Sequence, residues 1–339
     1  MNTNKKEYFM NNFKKIGLTA LAGSLVTLGA TAGEMSVSGS INTTLKFGKG
    51  SDNTSRSIGA DRDVTFSGGG ELDNGTTFSV STTTNDAIAL SASTTTITTP
   101  SFGSFMIGAG TGGLSGAYDE EVPTAYEQVS DGKNNTSNAV GNFLDNNHIS
   151  YTSPTLDLAG ASVTAHLEYS PQASDTTVGD GGQVTYSSTI GSGKGAGITI
   201  GYEGLKLGFY GAERKRTKPE TAGATGNYEH DEFNGVWYAK YSMGPVSIGY
   251  SESYMDAGVT SSIETTNQSK AERTAGGIFT GEQMSIAFNV NDNLSISYTT
   301  SEETYDAQDD VVTAVTTDDD VTETIDAIQI AYSMGGMSV

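Results

Sequence analysis

The sequence predicts an all-β fold, a transmembrane up-and-down antiparallel β-barrel. Three observations predict it. Apolar residues recur at every second position over long runs, the connections between runs alternate short and long, and apolar matter is scarce. Leu, Ile, Val and Phe number 64 of 339 residues, and 40 acidic against 18 basic residues give a net charge of −22. In a water-soluble chain such a composition reads as disorder. A barrel with a wet interior needs apolar residues only on its outside, so the alternation turns the same count into the expected one. The negative charge repels phosphate backbones and excludes nucleic acid as a partner. With no cysteine the chain has no disulfide, thiolate metal site or cysteine nucleophile.

The first element is an export signal over residues 1–32. Lys5, Lys6, Lys14 and Lys15 precede an apolar stretch at 16–30, and Ala30-Thr31-Ala32 is an A-x-A cleavage site that starts the mature chain at Gly33. Met10 serves equally well as the start, since a basic region still follows it. About 15 apolar residues are too few for a spanning helix. The mature chain keeps 14 basic and 39 acidic residues.

Strands follow. Met35, Val37, Gly39, Ile41, Thr43, Leu45 and Phe47 share one parity, while Ser36, Ser38, Ser40, Asn42, Thr44 and Lys46 share the other. Such a run is long for a globular strand and suits a tilted membrane strand. The pattern recurs from Val64, Val163, Met284 and Leu294, and no 3.6-residue period appears after the signal. Short turns fall at Asp73-Asn74-Gly75, 100–103, Glu203-Gly204, Gly244-Pro245, 291–293 and Gly335-Gly336. Long polar loops fall at 48–61, 85–92, 110–146, 170–194, 212–232, 256–281 and 303–323. The strands between them are 35–47, 62–72, 76–84, 93–99, 103–109, 147–153, 161–169, 195–202, 205–211, 233–243, 246–255, 282–290, 294–302 and 324–334. A fifteenth starts at Met337. Tyr151, Tyr202, Tyr241 and Tyr332 each end a strand beside a short turn, the place of an interfacial, periplasmic-side aromatic girdle.

Two stretches carry a family resemblance. The segment TTTITTPSFGSFMIGAG at 94–110 resembles the porin hairpin in which strand four turns through Phe-Gly into strand five. After a long irregular segment, HISYTSPTLDLAGASVTAHLEYSP is similar to the porin pattern of a strand ending Tyr-x-Ser-Pro, a turn and a strand ending in Tyr. The resemblance covers residues 33–339 and is nearest to the trimeric general porins of alphaproteobacteria. It implies a homotrimer in the outer membrane of a Gram-negative bacterium, each barrel of about 16 strands. It also implies dependence on the outer-membrane assembly machinery and passive diffusion of small hydrophilic solutes and ions. The third external loop folds inward in that family, and the longest loop here, about 111–146, follows the fifth strand. A Pro-Glu-Phe-Gly-Gly motif common in such loops is absent, and Val122-Pro123-Thr124-Ala125-Tyr126-Glu127 stands instead. Members of the family end on an aromatic residue, whereas this chain stops at Met337-Ser338-Val339. The hairpin at 332–339 is nearly a copy of that at 241–248, which continues further. About 14 strands are therefore complete, and the expected sequence is a porin domain, 33–339, incomplete at its C-terminus, a closing hairpin short of about 16 strands.

Constriction residues are expected on the inward loop, as Asp119, Glu120, Glu121, Glu127 and Asp131. Strand parity puts Lys46, His166, Glu168, Lys206 and Lys240 on the lumen wall. Acids on the loop facing bases on the wall would set a transverse field, and the excess of acids predicts modest cation selectivity. Asp318, Asp319 and Asp320 offer hard oxygen ligands to a divalent cation but lack EF-hand spacing. No other cofactor is expected, and no Ser-His-Asp order, phosphate loop or HExxH motif suggests an enzyme. The competing reading is a secreted acidic β-rich adhesin or surface-layer protein, which would need an apolar interior where this chain has Ser, Thr, Asn and Lys.

Overall fold

A computed structural model describes residues 34–47, 56–85, 90–119, 121–129, 140–145, 147–173, 190–216, 231–256, 258, 278–306, 321–334 and 337–338. The signal residues, with Ala30, Ala32 and Gly33, lie outside them, as do Glu120, Asp131 and Asp318–Asp320. The strands are β1 (Glu34–Phe47), β2 (Arg56–Glu71), β3 (Thr77–Thr84), β4 (Leu90–Thr99), β5 (Gly103–Ala109), β6 (Asn147–Thr152), β7 (Leu156–Leu158) and β8 (Ala161–Ser170). They continue with β9 (Ile190–Tyr202), β10 (Leu205–Arg216), β11 (Glu232–Met243), β12 (Val246–Asp256), β13 (Ile278–Asn291), β14 (Leu294–Asp306), β15 (Val321–Met334) and β16 (Met337–Ser338). Each pairs antiparallel with the next, except that β6 and β7 both pair with β8. The path runs from β1 to β16, and among the described residues no ladder closes it.

The meander and its parity are as expected, and the differences lie at strand ends. β2 starts at Arg56 rather than 62, β10 runs on to Arg216, and β9, β13, β14 and β15 are likewise longer on the long-loop side. Charged residues stand on both faces of the β10 end, Glu213 outward and Arg214 buried inward. Glu213-Arg214-Lys215-Arg216 therefore shows no apolar alternation, although its ladder continues, past a register shift, to Arg216↔Ile190. β7 was not expected. Pro154 interrupts β6, and the chain rejoins β8 through Leu156↔Val163.

The two faces differ completely. One carries exposed Ile41, Phe66, Val80, Ile107, Leu167, Phe209, Ile286, Phe288, Ile296, Ile328 and Ile330. Tyr202, Tyr241 and Tyr332 lie on it near the short turns, as does Tyr151, whose ring sits 4.8 Å from that of Phe105. Tyr169, Tyr254 and Phe233 are exposed on the same face toward the long loops, a second aromatic row as membrane barrels have. The other face is hydroxyl-rich. Thr65–Thr83, Ser81–Thr94 and Thr98–Ser104 join neighbouring strands at 2.7–2.9 Å.

Charges on the apolar face begin at one level. Arg62 stands nine residues from the turn end of β2, Lys194 and Glu213 eight from theirs, Glu282 nine, and Glu302 and Asp326 eight. At about 3.3 Å per residue and about 40° of tilt this is roughly 20–23 Å, close to the apolar height of a membrane barrel. Glu252, six residues from its turn end, is the exception among the described residues. Its carboxylate accepts hydrogen bonds from Trp237 Nε1 at 3.0 Å and the Tyr250 hydroxyl at 2.7 Å.

This line makes a prediction about depth. Ile286→Arg, in the middle of the band, should cost about 2–4 kcal/mol, and Thr304→Arg, above the line, about 0–1. Denaturant unfolding in lipid vesicles checks it, and equal costs would contradict the assigned band.

Candidate functional site

The described residues of the segment between β5 and β6 lie against the polar face, which makes that face the inside. Its two ends are clasped together. Asp145 Oδ1 accepts from Gly113 N at 2.7 Å and from Ser115 Oγ at 3.4 Å, joining the start of the loop to its end. Glu168 on β8 accepts from Leu114 N at 3.3 Å and from the Tyr210 hydroxyl at 3.2 Å. His148 Nδ1 donates to Asp145 O at 3.1 Å and lies 3.9 Å from Glu168 Oε1. Glu168, expected to line a wet wall, is instead only 4% exposed. It faces inward, but the loop covers it.

Among the described residues the buried hydrophobic core is here, between loop and wall. Tyr118, Val140, Phe143 and Leu144 from the loop pack on Tyr210, Ala212, Val236, Tyr238, Met255, Phe279 and Tyr305 from the strands. Tyr118 stacks on Tyr210 with ring centroids 5.2 Å apart, and its hydroxyl reaches His166 Nδ1 at 2.6 Å. Burial pushes the Tyr118 phenol well above its ordinary pKa. A Cβ at Gly197 would stand 2.4 Å from the Tyr118 ring, and one at Gly193 2.5 Å from Leu144. Glycines at alternate positions of β9 therefore flatten the wall where the loop sits. That alternation in GSGKGAG was the unread sequence signal for the seat. Arg214 completes it, bonded to Glu232 and to Ala173 O at 2.9 Å and lying 4.9 Å from the Phe143 ring centre.

Beyond Tyr118 the loop crosses the strands one after another. Glu121 Oε2 lies 2.6 Å from Lys240 Nζ and 3.4 Å from Lys206 Nζ. Pro123 packs where Gly249 leaves room, and Ser285 Oγ donates to Pro123 O. Ser297 Oγ accepts from Ala125 N at 2.9 Å, and Gln329 Nε2 donates to Glu127 O at 2.7 Å. From Glu121 to Glu127, six peptide steps, the loop passes from β11 to β15, four strand spacings. Six extended residues span about 20–22 Å and four spacings about 19 Å, so the loop runs nearly straight along the wall.

Among the expected constriction residues, Glu121 touches wall lysines, Asp119 is half-buried in the turn after Ser115, and Glu127 has an exposed side chain. Lys206, Lys240 and His166 all face the loop. Lys46 lies on β1, with its side chain outside the described residues. Among the described residues no His, Asp and Glu side chains group as a metal site.

A profile of the Gram-negative porin family matches residues 17–233, more than half of the chain. The chain is a Gram-negative porin. It therefore belongs in the outer membrane, as a channel protein. Solved structures agree in fold. Salmonella typhi OmpF in complex with daunomycin superposes with a TM-score of 0.60 at 11% identity, over 91% of this porin and 88% of that chain. OmpT of Vibrio cholerae gives 0.56 at 11% identity over 91% and 85%, and its trimer form 0.53 at 11% over 90% and 85%. A search among curated protein sequences found no match.

The clasp can be tested through Glu168. Glu168→Ala leaves the Leu114 N–H and Tyr210 O–H without their acceptor, each costing about 1–3 kcal/mol. Limited proteolysis of the folded protein should then cut within 111–146 much faster than in the parent or in Glu168→Gln, which keeps an acceptor. Equal cutting of Glu168→Ala and parent would contradict the clasp.

Proposed function

We propose that this porin is a passive diffusion channel for small hydrophilic solutes and ions, narrowed by the loop 111–146 and modestly cation-selective. The observation that carries the reading is the path of that loop. It is held on the hydroxyl-rich face by contacts from β8 to β15, behind a wall whose other face is apolar. A wet face bearing such a loop, backed by a lipid-compatible face, filters by width and by fixed charge.

The selectivity follows from charge placement. Glu121 offsets one of the two charges of Lys206 and Lys240, which weakens the expected transverse field on that side. Asp63 faces inward on the same parity as Thr65 and Ser67, and Asp119 and Glu127 add acids along the loop. Acids thus outweigh free bases along the passage. Solutes pass unchanged, and no enzymatic role is assigned to these groups. The channel works as a homotrimer, the form recorded for Vibrio cholerae OmpT, set in outer-membrane lipid by the assembly machinery that inserts such barrels.

Planar-bilayer recording of the full-length protein tests this. Conductance should rise in groups of three, and a KCl gradient should give a zero-current potential of the sign for K⁺ preference. An anion-preferring potential would overturn the selectivity. Absence of channels, with a mobility on gels that heating does not change, would overturn the reading as an open trimeric channel.

A further inference from the structure

We propose that Lys206 and Lys240 form an oxyanion subsite in the channel wall, occupied here by the loop's own Glu121 and open to a carboxylate or phosphate of a passing solute when Glu121 turns away. The proposal rests on reading the chain as a channel and adds a ligand class to it.

Lys206 and Lys240 are direct cross-strand partners on the same face of β10 and β11. Like charges so placed repel unless an anion lies between them. Both ammonium groups converge on one oxygen of Glu121, Oε2, at 3.4 and 2.6 Å. One carboxylate leaves one of the two positive charges uncompensated, whereas a phosphate dianion would match both. The floor of the site is the Tyr238 ring, with the two Nζ atoms 5.3 and 5.9 Å from its centre. Its face draws the cations toward it. Tyr238 is fully buried, and its hydroxyl has no hydrogen-bond partner among the described residues. The strand partner of Tyr238 is Gly208, where a Cβ would stand 2.2 Å from the ring. Two strands thus cooperate in laying this ring flat beneath the lysines.

Solvent reaches the site: the side chains of Lys206, Lys240 and Glu121 are 42%, 26% and 22% exposed. Ion pairs this wet contribute little, so a solute anion competes with Glu121 on near-equal terms. The exchange does not require the loop to move. Its neighbouring tethers to Ser285, Ser297 and Gln329 run through the main chain of Pro123, Ala125 and Glu127, so a change of Glu121 rotamer is enough.

Block of single-channel current by inorganic phosphate in KCl tests the subsite in the full-length protein. Glu121→Gln should be blocked at about fivefold lower phosphate than the parent, the effect of removing one competing charge at contact in water. The double variant Lys206→Met with Lys240→Met should lose the block. Block of that double variant at the parent's concentration overturns the proposal, as does a Glu121→Gln channel no more sensitive than the parent. Should Glu121→Gln fail to form channels, the parent and the double lysine variant still decide between presence and absence of the subsite. A parent protein that conducts nothing would overturn the channel reading instead, a different result.

Discussion

In hydrocarbon a peptide N–H or C=O has no partner but another peptide group. Every spanning strand must therefore be laddered to its neighbour, and between β1 and β15 the described residues of this porin meet the demand by an unbroken order of antiparallel pairs. The rest follows from that ladder. Side chains are forced alternately to opposite faces, so one face must satisfy lipid and the other water. The level at which outward charges begin, shared by Arg62, Glu213, Glu282, Glu302 and Asp326, is the ladder's record of where lipid ends. Glu252 breaks that level and carries its own hydrogen-bond donors, Trp237 and Tyr250, as a group withdrawn from water must.

A wet inner face offers no core, and the chain makes one by folding a connection back onto it. Tyr118, Phe143 and Leu144 are buried not between two layers of sheet but between a loop and a strip of wall. Glycines at 193, 195 and 197 let the loop approach closely, and the Asp145 and Glu168 carboxylates bind the main chain where it enters. The strips of wall away from the loop stay hydroxylated, joined by Ser and Thr pairs that stiffen the sheet without drying it.

The strands were legible because their signal is periodic: residues 284–290 or 163–169 place each side chain in or out by parity alone. The outer end of β10 was not, because charged residues on both faces remove the alternation while the hydrogen-bond ladder persists, as at 213–216, where Arg214 is buried inward against Glu232. On the wall, parity puts Lys206, Lys240 and His166 on one face, and all three face the loop. It could not tell an open wall from one the loop covers, and so Glu168 read as lining rather than as anchor. The path of the loop had no sequence signature for a physical reason. Ser285, Ser297 and Gln329 hold peptide groups, which every residue has. What could have been read is the wall's answer to it, small residues repeating on the inward positions of β9.

That mode of attachment has a further meaning. Over 123–127 the tethers to Ser285, Ser297 and Gln329 run through the loop's backbone, so they do not depend on which side chains the loop displays there. Residues of that stretch can then be exchanged without removing those tethers. On the proposed reading, in which this loop is the filter, the filter is a part of the molecule open to revision.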